Sequence, residues 1–406
     1  MNAEALLDGI RLFVVFVTVA ALVGLAVRRI ALPYSVALVG VGLAAGLVLP
    51  GLELDITPEL VLVVLLPGLV FEAAFHIDLV ALRRGVGSVA LLAGPGVLVV
   101  AAVVAISLYL GTGLPLELGF IVGAMVAATD PAAVIATFKG MGVPHRLAAM
   151  TEGESLFNDG TGLVLFALAV TAITTTVTAT DVLETLVVTV VVSTAIGLGA
   201  GYLASRILAT VDDHLIELTI SLSAAYGTYL LADAFHESGV IATVIAGIVI
   251  GNYGRRTGIS TRAAEALDAV WEFVAFLLTA LVFMLVGLSI SLPQLEAALP
   301  WVAWGIVGTL VGRAVVVYVL LGGYWRVLSS RSTTPWAREG WLNVLFWSGL
   351  RGAVAVAMAL SLPLDVPQRA LLQEITFGIV LFTLLVQGMT IEPLVRRWLR
   401  PDPDQA

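Results

Sequence analysis

Cysteine is absent from the 406-residue sequence, and its absence excludes disulfide bonds, thiolate metal sites and thiol chemistry. Histidine is also scarce. The four histidines are scattered along the chain, and no two of them have the spacing of metal ligands. No resident metal or other cofactor is therefore expected.

Charged residues are few as well. They make up 12% of the sequence, whereas a soluble domain contains roughly 25%. Hydrophobic residues make up 60%, and the mean hydropathy is +1.06. A membrane span needs about 20 mostly apolar residues, and such runs follow one another along the whole chain. A transmembrane β-barrel would need short alternating segments instead. We therefore predict an all-α polytopic membrane protein.

The organisation predicted from these runs is a single transmembrane domain over residues 1–406. No connecting segment is long enough for a soluble domain. At the amino terminus, Glu4 and Asp8 stand where a signal peptide would carry positive charge, so the first span is expected to be retained.

Apolar runs and the breaks between them predict about 13 membrane spans. The predicted spans are 10–27, 32–50, 58–76, 86–110, 118–138, 149–172, 182–205, 215–233, 239–252, 268–289, 300–322, 340–360 and 369–393. The ninth is short and is expected to borrow flanking residues.

Positive charges give an independent check on this arrangement, because cytoplasmic loops of membrane proteins are enriched in lysine and arginine. Of the 20 lysines and arginines, 16 fall in alternate loops: Arg28, Arg29, Arg83, Arg84, Lys139, Arg146, Arg206, Arg255, Arg256, Arg262, Arg326, Arg331, Arg338, Arg396, Arg397 and Arg400. The opposite side receives Arg11 and Arg369. We therefore expect a cytoplasmic carboxyl terminus and an external amino terminus.

Six ionisable residues are predicted at membrane depth: Glu72, Asp130, Glu154, Asp159, Arg313 and Arg351. A charge at the bilayer centre costs about 2.5–3.5 kcal/mol even on the mildest scale. Ion pairing that fastens helices together could neutralise two acids with two arginines. One or two acids would remain, and these are expected to hold a proton or a bound cation.

The sixth span carries a polar stripe within the stretch EGESLFNDGTGLVLF, residues 152–166. The stripe residues recur at steps of three and four: Thr151, Glu154, Ser155, Asn158, Asp159 and Gly162. Such a stripe faces a cavity or a partner helix rather than lipid. Carboxylate and hydroxyl oxygens suit a hard cation such as Na⁺. We favour a cation site, and helix–helix adhesion is the alternative.

Two other spans are predicted to be interrupted. In the fifth, Pro131 follows Thr129 and Asp130 and should break the helix, leaving backbone carbonyls free to bind a cation. A simple proline kink is the alternative. In the twelfth, Gly349 and Gly352 flank Arg351. Broken spans in matching positions of two halves indicate a secondary transporter. The halves would be inverted repeats over about 10–172 and 215–393, joined by a linker helix over about 182–205.

Several stretches match a known family. They are TDP at 129–131, GESLFNDG at 153–160 and GLRGAVAVAMAL at 349–360, with weaker matches in LLPGLVFEAAFHID at 65–78, GVIATVIAGIVIGN at 239–252, VFMLVGLSI at 282–290 and LLVQGMTIEPL at 384–394. In these motifs the sequence resembles the monovalent cation/proton antiporters of the NhaP and NHE branch. That resemblance implies two inverted six-helix repeats with broken, crossing helices, and exchange of Na⁺ or Li⁺ for H⁺ by alternating access.

The resemblance also implies roles for particular residues. Asp159 and Glu154 would carry the proton and the cation, and Na⁺ would be bound by both of them together with Ser155, Asp130 and Thr129. Supporting roles fall to Asn158, Arg351, Arg313 and Pro131, with one of the two arginines pairing with Glu154. The asparagine–aspartate pair implies electroneutral exchange. A homodimer in the cytoplasmic membrane is expected, without a nucleic-acid partner.

The mechanism expected from these residues is competition of Na⁺ and H⁺ for the Asp159 carboxylate. Potassium/proton exchange is the near alternative, because cavity size decides between Na⁺ and K⁺ and the sequence does not reveal it. A channel would favour rings of charges or carbonyls in a symmetric assembly. An intramembrane aspartyl protease would use Asp130 and Asp159 as a dyad, but it gives Ser155, Asn158 and Arg351 no role.

Overall fold

The structure is a computed structural model that describes residues 3–27, 33–48, 60–130, 132–175, 178–259, 261–329 and 339–399. Within these ranges the chain is helical and contains no β-strand, so the predicted all-α fold is confirmed. Pro131 lies outside the described residues. So do five of the loop arginines used for orientation: Arg28, Arg29, Arg331, Arg338 and Arg400.

The described residues form twenty α-helices and four π-helical turns. The α-helices are α1 (Ala3–Val27), α2 (Tyr34–Val48), α3 (Leu66–His76), α4 (Leu79–Ala93), α5 (Pro95–Thr112), α6 (Leu116–Ala127), α7 (Ala132–Lys139), α8 (His145–Thr174), α9 (Ala179–Leu208), α10 (His214–Ala234), α11 (Gly239–Val249), α12 (Arg255–Thr257), α13 (Thr261–Leu288), α14 (Leu292–Ala297), α15 (Leu299–Ala314), α16 (Gly322–Ser329), α17 (Glu339–Trp347), α18 (Ala353–Leu360), α19 (Arg369–Phe382) and α20 (Gly388–Trp398). The π-helical turns are Leu60–Leu65, Ile250–Gly254, Val315–Leu321 and Thr383–Gln387.

Seven helical stretches within the described residues are long and apolar enough to cross a membrane. They are Leu79–Thr112, His145–Thr174, Thr180–Leu208, His214–Ala234, Ala263–Leu288, Leu299–Leu328 and Arg369–Trp398. Four shorter apolar stretches are Val14–Val27, Tyr34–Val48, Leu60–His76 and Leu116–Ala127. The two remaining predicted spans correspond to α11 with its π-helical continuation and to α17 with α18. This arrangement is compatible with about 13 spans.

Capping side chains explain where several of these helices begin. The Asp78 carboxylate accepts hydrogen bonds from the backbone N–H groups of Val80 and Ala81 and thereby starts α4 at Leu79. The fourth span was predicted to begin at residue 86, with Arg83 and Arg84 in the preceding loop. In the structure both arginines lie in the first turns of α4, so the helix begins before the predicted span.

Both predicted interruptions are confirmed. In the first broken span, α6 ends at Ala127 and α7 begins at Ala132. In the second, α17 ends at Trp347 and α18 begins at Ala353. The two unwound segments touch each other, because the Asp130 N–H donates a 2.8 Å hydrogen bond to the Leu350 carbonyl oxygen. Broken helices at membrane depth occur where the freed backbone is buried in protein or lines a cavity.

Helix α8 runs beside this crossing and packs against α4, α6 and α11. Helix α13 lies across from it and packs along α2 through two glycines. A Cβ atom at Gly42 would overlap the Met284 carbonyl oxygen, and one at Gly287 would overlap the Val39 carbonyl oxygen. The two backbones therefore touch directly. This contact fixes one face of α13, and other residues of α13 line the cavity described below.

Candidate functional site

The six stripe residues of α8 are all buried, but they do not share one partner. Successive residues of an α-helix are rotated by about 100°, so Glu154 and Asp159 point about 140° apart. Glu154 faces α15, Ser155 and Asn158 face the end of α6, and Asp159 faces a cavity. The single stripe expected from the sequence is thus divided among three environments.

Glu154 is ion-paired with Arg313. Both Arg313 Nη atoms donate to the Glu154 carboxylate, and the bond from Nη2 to Oε2 is 2.9 Å long. Arg313 also donates from Nε and Nη2 to the Leu345 carbonyl oxygen, at 3.2 and 2.6 Å. A Cβ atom at Gly349 would lie 2.9 Å from Arg313 Nε, so the glycine leaves room for the guanidinium. The pair therefore joins α8, α15 and α17.

Ser155 and Asn158 hold the unwound end of α6. Asn158 Nδ2 donates to Thr129 Oγ1 at 2.7 Å, while Asn158 Oδ1 accepts from the Thr129 N–H at 3.1 Å. Ser155 Oγ lies 2.8 Å from Thr129 Oγ1. All three side chains are buried. This network replaces helical hydrogen bonds that the backbone loses at the break.

Asp159 lines a cavity of about 780 Å³. Thr129 and Asp130 line it too, together with residues of α3, α13 and α18 and of the loop before α8. Asp159 makes no hydrogen bond or ion pair with any residue that the structure describes. Its exposed fraction is 8%. A carboxylate in this position can accept a proton or bind a cation that enters the cavity.

Asp130 lies against the start of α18. A Cβ atom at Gly352 would overlap the Asp130 carboxylate, so only a glycine permits this close approach. The positive end of a helix dipole stabilises a nearby anion, and α18 begins at Ala353, directly after Gly352. The residue at 352 thus brings the Asp130 carboxylate to the start of a helix.

Arg351 compensates the opposite helix end. It is fully buried, and its Nη1 donates to the carbonyl oxygens of Ala127 and Ala128 at 3.2 and 3.3 Å. These carbonyls lie at the carboxyl end of α6, where a cation is favourable. Either Arg313 or Arg351 was expected to pair with Glu154. The structure places Arg313 on Glu154 and places Arg351 at the crossing.

Comparison with known proteins adds to this geometry. Residues 14–397 match the family described as "Sodium/hydrogen exchanger, transmembrane". The chain is 37% identical over 373 residues to the Na(+)/H(+) antiporter ApNhaP of Aphanothece halophytica, an alignment that covers 90% of this chain and 70% of ApNhaP. The chain belongs to the sodium/hydrogen exchanger family. It is therefore a multi-pass membrane protein.

Two further similarities extend over nearly the whole chain. The Na(+)/H(+) antiporter NhaH of Halobacillus dabanensis is 34% identical over 404 residues, covering 94% of this chain and 98% of NhaH. The sodium proton antiporter MjNhaP1 of Methanocaldococcus jannaschii has a similar structure, with a TM-score of 0.78 at 19% identity, and the match covers 98% of this chain. The second similarity shows a shared fold.

The sequence interpretation missed one group of residues in the cavity wall. His76 contacts the side chains of Glu72 and Asp268, and both His76 and Glu72 line the cavity. Glu72 was noted as a membrane acid without a role. The contact between His76 and Asp268 joins α3 and α13, which are far apart in the sequence, so no local spacing could have indicated it.

Proposed function

We propose that the protein is a secondary active transporter, and not an enzyme, that exchanges Na⁺ for H⁺ across the cell membrane by alternating access, with both ions competing for Asp159. One contrast within α8 supports this function. Glu154 is neutralised by Arg313, whereas Asp159 lines the cavity without an ion pair among the described residues. An uncompensated acid inside a membrane protein marks an ion or proton pathway.

The names of related proteins support Na⁺ and H⁺ as the exchanged ions. ApNhaP, NhaH and the low-affinity NhaS1 of a Synechocystis strain are each named as Na(+)/H(+) antiporters. Our chain shares at least a third of its aligned residues with each of them.

The Na⁺ ligands that we propose are Asp159, Asp130, Ser155 and the backbone of Thr129. Thr129, Asp130 and Asp159 line the cavity, and the Ser155 hydroxyl contacts Thr129 Oγ1. Oxygen ligands of this kind suit a hard monovalent ion. Glu154 was predicted as a further ligand and carrier. Its bonds to Arg313 favour a supporting role instead, in which the ion pair joins α8 to α15.

Coupling follows from single occupancy of the Asp159 carboxylate. The carboxylate is neutralised either by Na⁺ or by H⁺, and the empty charged form resists movement through the apolar part of the protein. Because Glu154 and Arg313 compensate each other, one Na⁺ exchanges for one H⁺ and the cycle carries no net charge.

The cavity leads from Asp159 towards the loop between α7 and α8, where Gly142, Pro144 and His145 line it. Lys139 and Arg146 flank this loop, so by the positive-inside rule it is cytoplasmic. We infer that the structure represents the inward-open state, with the amino terminus outside and the carboxyl terminus in the cytoplasm.

The test is transport in proteoliposomes that contain a pH-sensitive dye. Addition of Na⁺ should change the internal pH in vesicles with the wild-type protein and leave it unchanged with Asp159→Asn, and both proteins should unfold at similar temperatures. Glu152→Gln is the matched control, since Glu152 is another acid of α8 that lines the same cavity. Full exchange by Asp159→Asn would overturn the assignment.

The same vesicles decide the choice of cation. We expect responses to Na⁺ and Li⁺, without a membrane current. A response to K⁺ that exceeds the response to Na⁺ would reassign the protein as a potassium/proton antiporter. A current without a pH change would indicate a channel.

A further inference from the structure

The second unwound segment, residues 348–352, is bonded to the span that follows it, which consists of α19, a π-helical turn and α20. The Arg351 N–H donates a 3.0 Å hydrogen bond to Thr383 Oγ1. Trp347, the last residue of α17, donates from its indole Nε1 to Thr390 Oγ1 at 2.9 Å. Two threonines of the following span therefore hold the break, one at each end.

Gln387 lies between these two threonines. Thr383, Gln387 and Thr390 recur at steps of four and three, which places them on one face of the helix. The next residue, Gly388, is close to the unwound segment, because a Cβ atom there would lie 3.4 Å from Leu350 Cδ2. Gln387 is 2% exposed. Its side chain is thus buried on the face that meets the break.

Arg351 and Gln387 both carry buried atoms that lack a partner. Arg351 donates from Nη1 to the carbonyl oxygens of Ala127 and Ala128, whereas its Nε and Nη2 make no hydrogen bond with the described residues. Gln387 Oε1 makes none with them either. The two nitrogens can only donate and the oxygen can only accept. Buried groups of this kind are commonly satisfied by an ordered water molecule.

We propose that Thr383 and Gln387 are positioning residues that hold the second break as Ser155 and Asn158 hold the first. Thr383 fixes the backbone at Arg351, and Gln387 fixes the Arg351 guanidinium through an ordered water. The order along the chain is the same in both cases, because α8 follows the first broken span and α19 with α20 follows the second. This inference rests on the proposed exchange of Na⁺ and H⁺.

The unwound segment bears on two of the proposed Na⁺ ligands. Arg351 bonds to the two carbonyl oxygens directly before Thr129, and Gly352 lies against the Asp130 carboxylate. A displaced segment would move Thr129 and Asp130, but it would leave Asp159 in place on α8. Because the proton needs only Asp159, a weakened hold should reduce the affinity for Na⁺ and not the affinity for H⁺.

Transport kinetics in proteoliposomes test the role of Thr383. Thr383→Val keeps the shape of the side chain and removes the acceptor, so the apparent KM for Na⁺ should rise about fivefold, the net value of one hydrogen bond. The rise should be the same at every pH and should exceed any change in kcat. Thr383→Ser retains the hydroxyl and should restore the wild-type KM. Thr309→Val is the matched control, since this buried hydroxyl of α15 bonds within its own helix.

The role of Gln387 is tested in the same assay. Gln387→Met removes the amide at similar length, and KM should again rise about fivefold. Gln373→Met is the control. The Gln373 amide is also on α19 but donates to the Ala359 carbonyl oxygen, at the far end of α18, so its loss should lower Tm without a change in KM.

Electron cryomicroscopy of the wild-type protein in lipid nanodiscs tests the water site without a variant or a transport assay. The density should contain a water within about 3.2 Å of Gln387 Oε1 and of at least one of the two free nitrogens of Arg351. The water should be absent from Gln387→Met.

The outcomes separate this inference from the proposed function. A wild-type KM in Thr383→Val, an equal rise in Thr383→Ser or in Thr309→Val, or a wild-type map without the water would overturn the inference and leave exchange at Asp159 intact. If wild-type vesicles show no Na⁺-dependent pH change, the proposed function fails, and the density still decides the water site.

Discussion

Glu154 and Asp159 are two acids of one buried helix, yet their surroundings differ in almost every respect. Glu154 accepts two hydrogen bonds from Arg313 and does not line the cavity. Asp159 lines the cavity and has no such bond within the described part of the chain. The difference arises from five residues of helical rotation, which turn one acid towards α15 and the other towards the opening.

The comparison shows that the role of an acid in a membrane protein depends on whether a fixed positive charge neutralises it, and not on how deeply it is buried. Both acids are at least nine-tenths buried. A buried ion pair fastens helices together and is broken only at high cost. An acid in a cavity without a fixed partner is compensated by whatever ion arrives. The substitutions below should separate these two roles, from the largest expected effect to the smallest.

Arg313→Met should destabilise the protein strongly. It leaves Glu154 as an uncompensated buried charge, at a cost of about 3–5 kcal/mol, and it removes the bonds to the Leu345 carbonyl oxygen. Thermal unfolding in detergent should show a much lower Tm. The double variant with Glu154→Leu should recover most of that loss, because no unpaired charge remains. Equal Tm values for the single variant and the wild type would show that the pair does not fasten α8.

Asn158→Asp should destabilise the crossing by about 2–3 kcal/mol. The aspartate cannot donate to Thr129 Oγ1, as the Asn158 amide does, and it adds a buried charge beside Asp159. Asn343→Asp is the control, since Asn343 serves there as an acceptor for the Tyr318 hydroxyl. The loss of stability in both variants is measured from their unfolding temperatures. A similar loss in the control would mean that the position of the asparagine does not matter.

The interruptions of the two crossing spans could be predicted because their causes are local. A proline within an apolar run indicates a break by itself. Two glycines around an arginine indicated the second break because they stand in the matching position of the other half. Helix starts were less predictable. The Asp78 cap extends α4 back to Leu79, and a cap of this kind is easily read as part of a loop.

The pairing of Arg313 could not be predicted from the sequence, because both candidate arginines lie inside spans and only the packing of α15 against its neighbours distinguishes them. The contact of His76 with Asp268 depends in the same way on how α3 meets α13. The polar residues of the predicted stripe lie on one helix, as their spacing indicated, and all six are buried. The sequence did not reveal that these residues face three different environments, because spacing does not show how many helices surround α8.

Gly352→Ala should reduce transport by about tenfold with a smaller effect on stability, because the new Cβ atom displaces the Asp130 carboxylate from its position at the start of α18. Dye-based flux measures the loss. Gly199→Ala is the control, because no atom lies within 4 Å of the added Cβ atom there. Unchanged flux in Gly352→Ala would remove Asp130 from the proposed ligands.

Ser155→Ala should have the smallest effect. It removes the hydroxyl that contacts Thr129 Oγ1, and the apparent KM for Na⁺ should rise by about fivefold, which corresponds to the net value of one hydrogen bond. Ser107→Ala removes an exposed hydroxyl on α5 that donates to the Trp304 carbonyl oxygen, and it should leave KM unchanged. An equal KM in both variants would exclude Ser155 as a ligand.

Isothermal titration calorimetry of Na⁺ binding, repeated in buffers of different ionisation enthalpy, tests most directly whether one carboxylate serves both ions. We expect about one proton released per Na⁺ bound under mildly acidic conditions, weaker Na⁺ binding as the pH falls, and no binding to Asp159→Asn. Sodium binding of equal strength in acid and in alkali, with no proton released, would contradict shared occupancy of Asp159.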